Sequence, residues 1–265
     1  MKVSQPPATR LRRARAALLV AVGLLAGCSP ATVNLREGSR EYVAPDYENV
    51  FSQWTRNEHL IAISELDDLL SATATFESWD FRWAYVVRYA QDYRLTLDQR
   101  QKLLEKTLDE TRHHHHFFVA IAGGERKFND LTKPNSAWIV RLIDSTGAET
   151  APEEVTAINK PNAIERTYFP YNTIFHKTFR IKFPVTSGDG RQTISPNAEW
   201  FGLRFAGAQG NNELLWAIEK DIPVKKGKGS PQPGDLKSPP PSSEKVRPEK
   251  TAPAGEAGKS PPAAP

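Results

Sequence analysis

The chain has 265 residues, one cysteine and a formal net charge of +4. The basic balance is unevenly placed: residues 1–27 carry five basic and no acidic side chains, residues 225–265 carry eight basic and four acidic, and the portion between stands near −5. A nucleic-acid binder needs its basic excess on the folded part, so no nucleic acid is expected as a partner, and a lone thiol excludes an intrachain disulfide framework.

Lys2, Arg10, Arg12, Arg13 and Arg15 precede an apolar run from Ala16 to Ala26. This is the charged start and short apolar core of a secretory signal peptide, too short for a permanent membrane-spanning helix. Arg12-Arg13 gives only a weak twin-arginine hint, because a charged start already accounts for both. The run ends in Leu25-Ala26-Gly27-Cys28, which contains the only cysteine. This tetrapeptide resembles the lipobox of bacterial lipoprotein precursors, a likeness confined to the leader and Cys28. The resemblance implies cleavage after Gly27 and acylation of Cys28, with palmitate among the chains. It also implies a lipid-anchored protein of the cell envelope, and Ser29 after the cysteine implies an outer membrane where one exists. One chain anchors marginally at about 0.8 kcal/mol per buried methylene; two or three anchor essentially permanently.

Residues 28–45 read as a polar tether, 46–224 as a single globular domain, and 225–265 as a disordered tail rich in Lys, Pro, Ser, Ala and Gly. The tail's only large apolar residues are Leu236 and Val246, too few to offset ordering entropy. Within the domain, 46–65 is a partly helical approach. Leu70, Ala72, Ala74 and Phe76 alternate with polar residues and predict a half-buried strand. Trp79, Trp83, Val86, Ala90, Tyr93 and Leu97 then recur at helical steps, with Asp80 as a candidate cap. Thr96 and Gln99 form a capping-box pattern that opens a second helix, expected to end around His113–His116. Strands are predicted at 117–122, 137–144, 163–169, 175–183, 199–206 and 214–219, with a hairpin connection at 209–212. The expected fold is mostly β: an antiparallel immunoglobulin-like sandwich with a helical pair inserted after its first strand. The absence of helices between the later strands argues against a parallel βαβ sheet.

His113, His114, His115 and His116 could bind Zn²⁺, Ni²⁺ or Cu²⁺, above all through His113 and His116 one helical turn apart. The blander account is a helix C-terminus, where imidazoles complement the dipole; replacing them would then change stability by about 1 kcal/mol or less. Glu65, Asp67, Asp68, Glu77 and Asp80 could hold an acid–base pair for glycan hydrolysis, but such residues more often serve turns and caps. Trp54, Trp79, Trp83, Tyr85, Tyr89 and Tyr93 could stack sugars, although aromatics at helical spacing are more often core. Ser187-Gly188-Asp189-Gly190 reads as a turn, since it lacks the lysine and strand–loop–helix setting of a phosphate loop. No hydrolase, metalloprotease or dinucleotide motif is present. The resulting expectation is a non-enzymatic, cofactor-free binding or structural module, attached to the membrane through Cys28 and facing an envelope protein partner. The alternatives are a glycan- or peptidoglycan-binding or -processing protein and a metal-binding accessory protein.

Overall fold

The computed structural model describes residues 31–62, 67–124 and 128–220. The chain is mostly β, with two five-stranded sheets and a few helices. The first sheet takes the order β1-β10-β9-β5-β6, built from β1 (Thr32–Val33), β10 (Gly210–Ile218), β9 (Trp200–Gly207), β5 (Ile139–Asp144) and β6 (Glu149–Thr150). The second takes the order β2-β3-β4-β8-β7, from β2 (Thr55–Ala62), β3 (Asp67–Phe76), β4 (His114–Ala122), β8 (Lys177–Pro184) and β7 (Glu154–Ile158). All pairings between these strands are antiparallel except β1 with β10.

Period-two burial makes the two sheets face each other. Phe76, Phe117, Phe201 and Trp216 point inward, with Phe76 5.1 Å from Phe201 and Phe117 5.7 Å from Trp216 between ring centroids. Phe201 stacks on Trp216 at 5.5 Å, and all four are buried. Gly202 lets β9 lie close to β10, because a Cβ there would collide with the Leu214 carbonyl and the Leu215 side chain. On the other face of the second sheet, Phe118 stacks on Phe169 at 3.8 Å. The helices α1 (Tyr47–Trp54) and α2 (Trp79–Asp92) surround an aromatic cluster of Tyr47, Phe81, Tyr85 and Tyr168 beside it.

The helical pair is α2 and α3 (Leu97–His113), and it directly follows the strand predicted at 70–76, which is β3 because β1 and β2 precede it. The Thr96–Gln99 capping box forms in both directions, at 3.0 and 3.3 Å. The cap of α2 is Ser78, whose Oγ accepts the Phe81 N–H at 3.1 Å; Asp80 instead pairs with Arg40. α2 is covered broadly: Val86 and Ala90 of the expected stripe are buried, Tyr85 and Tyr89 beside them are buried too, and Tyr93 and Leu97, beyond its end, are exposed.

Four expectations need correction. Residues 163–169 form a helix, α4 (Ala163–Tyr168), because Asn162 and Glu165 make a reciprocal capping box at 2.8 and 2.9 Å. The histidine run is only in part a helix end: α3 closes at His113 as expected, but His114–His116 open β4. The connection between β9 and β10 is the two residues Ala208-Gln209, and Gly210, Asn211 and Asn212 of the expected four-residue connection are already paired in β10. Finally, the described part of the expected tether packs on the domain. Val33 is fully buried, Thr32 and Val33 pair with Ala217 and Ile218, and Glu219 N–H donates to the Val33 carbonyl at 2.8 Å. The leader, Cys28 and the tail 225–265 lie outside the described residues.

Candidate functional site

A cleft of about 740 Å³ opens at one end of the two sheets. Its walls come from sequence-distant segments: residues 34–37 after β1, the β3–α2 junction at 76–79, the α3–β4 junction at 111–115, Val185 after β8, the loop 192–198 and the chain at 218–220. The floor is apolar, with Phe76, Ile194 and Ala198 buried. The rim is charged but paired. Arg112 donates to Glu37 at 3.2 Å while lying over the Trp79 ring at 5.3 Å, and the Trp79 indole N–H donates to the Gly38 carbonyl at 2.7 Å. Lys220 pairs with Glu199.

Asp144 fixes the 192–198 wall. Its carboxylate accepts the Thr146 and Ala148 N–H groups at 2.9 and 3.2 Å, the Thr146 hydroxyl at 2.7 Å and the Ser195 N–H at 2.9 Å. Burial alone would raise this carboxyl, but the hydrogen bonds from Ser195 and Thr146 outweigh it and bring its pKa down to about 2. A folded pKa below the ordinary 3.9 stabilises the fold above about pH 4, and that stability is lost as pH falls towards 2. Asp144→Asn is therefore expected to cost about 2 kcal/mol at neutral pH and to flatten the acid limb below pH 4. Urea titrations at pH 7 and pH 3 check this, and an unchanged limb would refute it.

The sequence-nominated residues do not assemble into one site. His113 is exposed at the end of α3, and His116 lies on the face of β4 turned towards Arg82 and Glu110. The His116 Nε2 is buried without a hydrogen-bond partner, and burial first, then Arg82, lowers its pKa to about 3. His115 turns to the opposite face, 5.8 Å from Phe76, and burial, then His114, lowers it to about 4. His114 pairs with Glu153 at 3.1 Å. Because the run is extended, His113 and His116 are not one helical turn apart. Among the described residues, no group of three or more His, Cys, Asp or Glu side chains stands close enough to hold a metal ion.

Of the nominated carboxylates, Glu65 lies outside the described residues and Asp67 and Asp68 begin β3. Glu77 is buried and held by Arg82 at 3.1 Å and Arg180 at 3.3 Å. Of the aromatics, Trp54, Tyr85 and Tyr89 are core and Trp83 is half-buried. Tyr93 stacks on Tyr89 at 4.3 Å, and Arg112 lies over the Trp79 ring. Ser187–Gly190 is a turn, closed by the Gly190 N–H on the Ser187 carbonyl at 2.8 Å. Arg82, Arg112, Asp144 and Arg180 escaped sequence reasoning, since their partners lie up to 103 positions away. Compared with known proteins, the chain matches no family model, no curated protein and no solved structure.

Proposed function

We propose that this chain is a lipid-anchored protein of the bacterial cell envelope, and that its domain is a non-enzymatic module binding another envelope protein through the end cleft. We read the two packed sheets as an antiparallel β-sandwich of immunoglobulin-like character. The anchor rests on the leader ending in Leu25-Ala26-Gly27-Cys28. None of the described helices is long and apolar enough to cross a membrane.

The observation that carries the binding reading is the cleft itself, with an apolar floor and a rim of paired opposite charges. Such a lining suits an extended segment of mixed polarity. A sugar-stacking platform is less well supported, because Trp54, Tyr85 and Tyr89 are buried and Arg112 lies over Trp79. Glu77, the acidic candidate nearest the cleft, is committed to two arginines.

Two measurements test the reading separately. Cys28→Ser is expected to abolish lipid labelling and membrane retention while leaving the circular dichroism of the domain unchanged; persistent retention of the cleaved variant would refute the anchor. A photo-reactive residue at exposed Asn197 on the cleft wall is expected to give a discrete protein adduct in cells, lost on filling the floor with Ala198→Trp. Adducts only with glycan strands would favour the alternative of a glycan-binding protein.

A further inference from the structure

The short reach between Cys28 and the fold defines a membrane-facing side of the domain. Successive Cα atoms are 3.8 Å apart, so Cys28 lies within about 11 Å of Ala31. A free tether over 28–45 could instead stand the domain off by about 60 Å.

The chain from Ala31 onward is fastened at successive points. Thr32 and Val33 pair with β10, Glu37 pairs with Arg112, the Gly38 carbonyl accepts from Trp79, and Arg40 pairs with Asp80. Peeling it away would expose the fully buried Val33.

We infer that the domain rests against the bilayer that holds its lipid, with the adjoining β1 and β2 edges of the two sheets towards the headgroups. This rests on acylation of Cys28. The headgroup layer of one leaflet is about 5–8 Å thick, so an 11 Å leash keeps this corner of the protein at or in it. Arg56 supplies complementary charge at the exit point. Its guanidinium donates to the carbonyls of Ala31 at 3.4 Å, Gln53 at 2.8 Å, Thr55 at 2.9 Å and Leu215 at 2.9 Å. It lies 5.6 Å from the Trp216 ring centroid and has no carboxylate partner among the described residues. One of its five N–H groups is left to meet a lipid phosphate. The opposite edges, β6 and β7, are each four strand spacings away, about 19 Å.

The test uses the full, lipidated chain in vesicles of phosphatidylethanolamine and phosphatidylglycerol containing a headgroup-nitroxide lipid. Acylated Cys28 has no free thiol, so Asn57→Cys on β2 and Ala151→Cys between β6 and β7, both exposed, each carry one fluorophore. Quenching several-fold stronger at 57 than at 151 is expected. Inserting about twenty Gly/Ser residues before Ala31, with an r.m.s. span of about 25 Å, is expected to abolish the difference. Equal quenching of both labels in protein whose mass shows the lipid would overturn this inference and leave the anchor standing. Absence of the lipid from the mass of the mature protein would overturn both.

Discussion

Arg82→Met is expected to lower the unfolding free energy by about 3 kcal/mol, the lower end of the cost of breaking a buried ion pair, because Glu77 loses one of its two partners. Arg82 is buried in α2 and donates to the Thr107 carbonyl at 3.0 Å, Glu110 at 2.8 Å and the Glu77 carbonyl at 3.3 Å, while pairing with the Glu77 carboxylate at 3.1 Å. Glu77 also meets Arg180 of β8, which reaches Glu165 of α4 at 3.5 Å. One guanidinium thus joins α2 to α3, and through Glu77 the second sheet to α4. Removing it leaves Glu77 with Arg180 alone and takes a side-chain donor from the Thr107 carbonyl. Arg82→Lys keeps the charge but loses the planar fork, so an intermediate loss is expected. Glu77→Gln combined with Arg82→Met should recover part of the cost, because the buried carboxylate left with one partner instead of two is gone. Urea unfolding of the three variants measures these differences, and a loss below about 1 kcal/mol for Arg82→Met would show that the network is incidental to stability.

The parts of this fold legible in the sequence are those governed by neighbours along the chain. The Thr96–Gln99 box announced α3, and the alternation of Leu70, Ala72, Ala74 and Phe76 announced β3, because each pattern closes within a few residues. Edge strands carry a weaker trace, since one side of each has no neighbour. β2 reads Thr-Arg-Asn-Glu-His-Leu-Ile-Ala, with Asn57, Glu58 and His59 exposed. α4 is marked by the capping pair Asn162 and Glu165 and by Ile164 and Tyr168, both buried and one helical turn apart, a short signal that an apolar count alone does not separate from a strand. The anchoring of β1 could not be foreseen from one valine, because its partner lies some 185 positions further on. The cleft was equally hidden: its walls come from six separate stretches of chain.

Between pH 7 and pH 5 the domain is expected to lose about 3 kcal/mol of unfolding free energy through His115 and His116. Burial, with a smaller push from His114, lowers His115 to about 4; burial, then Arg82, lowers His116 to about 3, with Lys182 and His114 acting the same way and Glu110 opposing. In the unfolded chain both titrate near 6.5. Above that value both states are neutral and neither histidine makes stability depend on pH. Below it the unfolded chain takes up protons that the folded imidazoles refuse, so stability falls by up to about 1.4 kcal/mol per pH unit for each, and the fall ends as the folded groups themselves protonate near 4 and 3. The Asp144 effect adds to this only at lower pH, as its carboxylate protonates. Only His113 ends a helix; His115 and His116 are half-buried bases inside a sheet. His115→Phe keeps an aromatic ring beside Phe76, and His116→Gln removes the second titrating group. Together they should flatten the profile between pH 7 and pH 5. Chemical denaturation across this pH range, with each variant compared with the parent, measures the slope directly. A double variant as pH-sensitive as the parent would locate the acid sensitivity elsewhere and refute the assignment to His115 and His116.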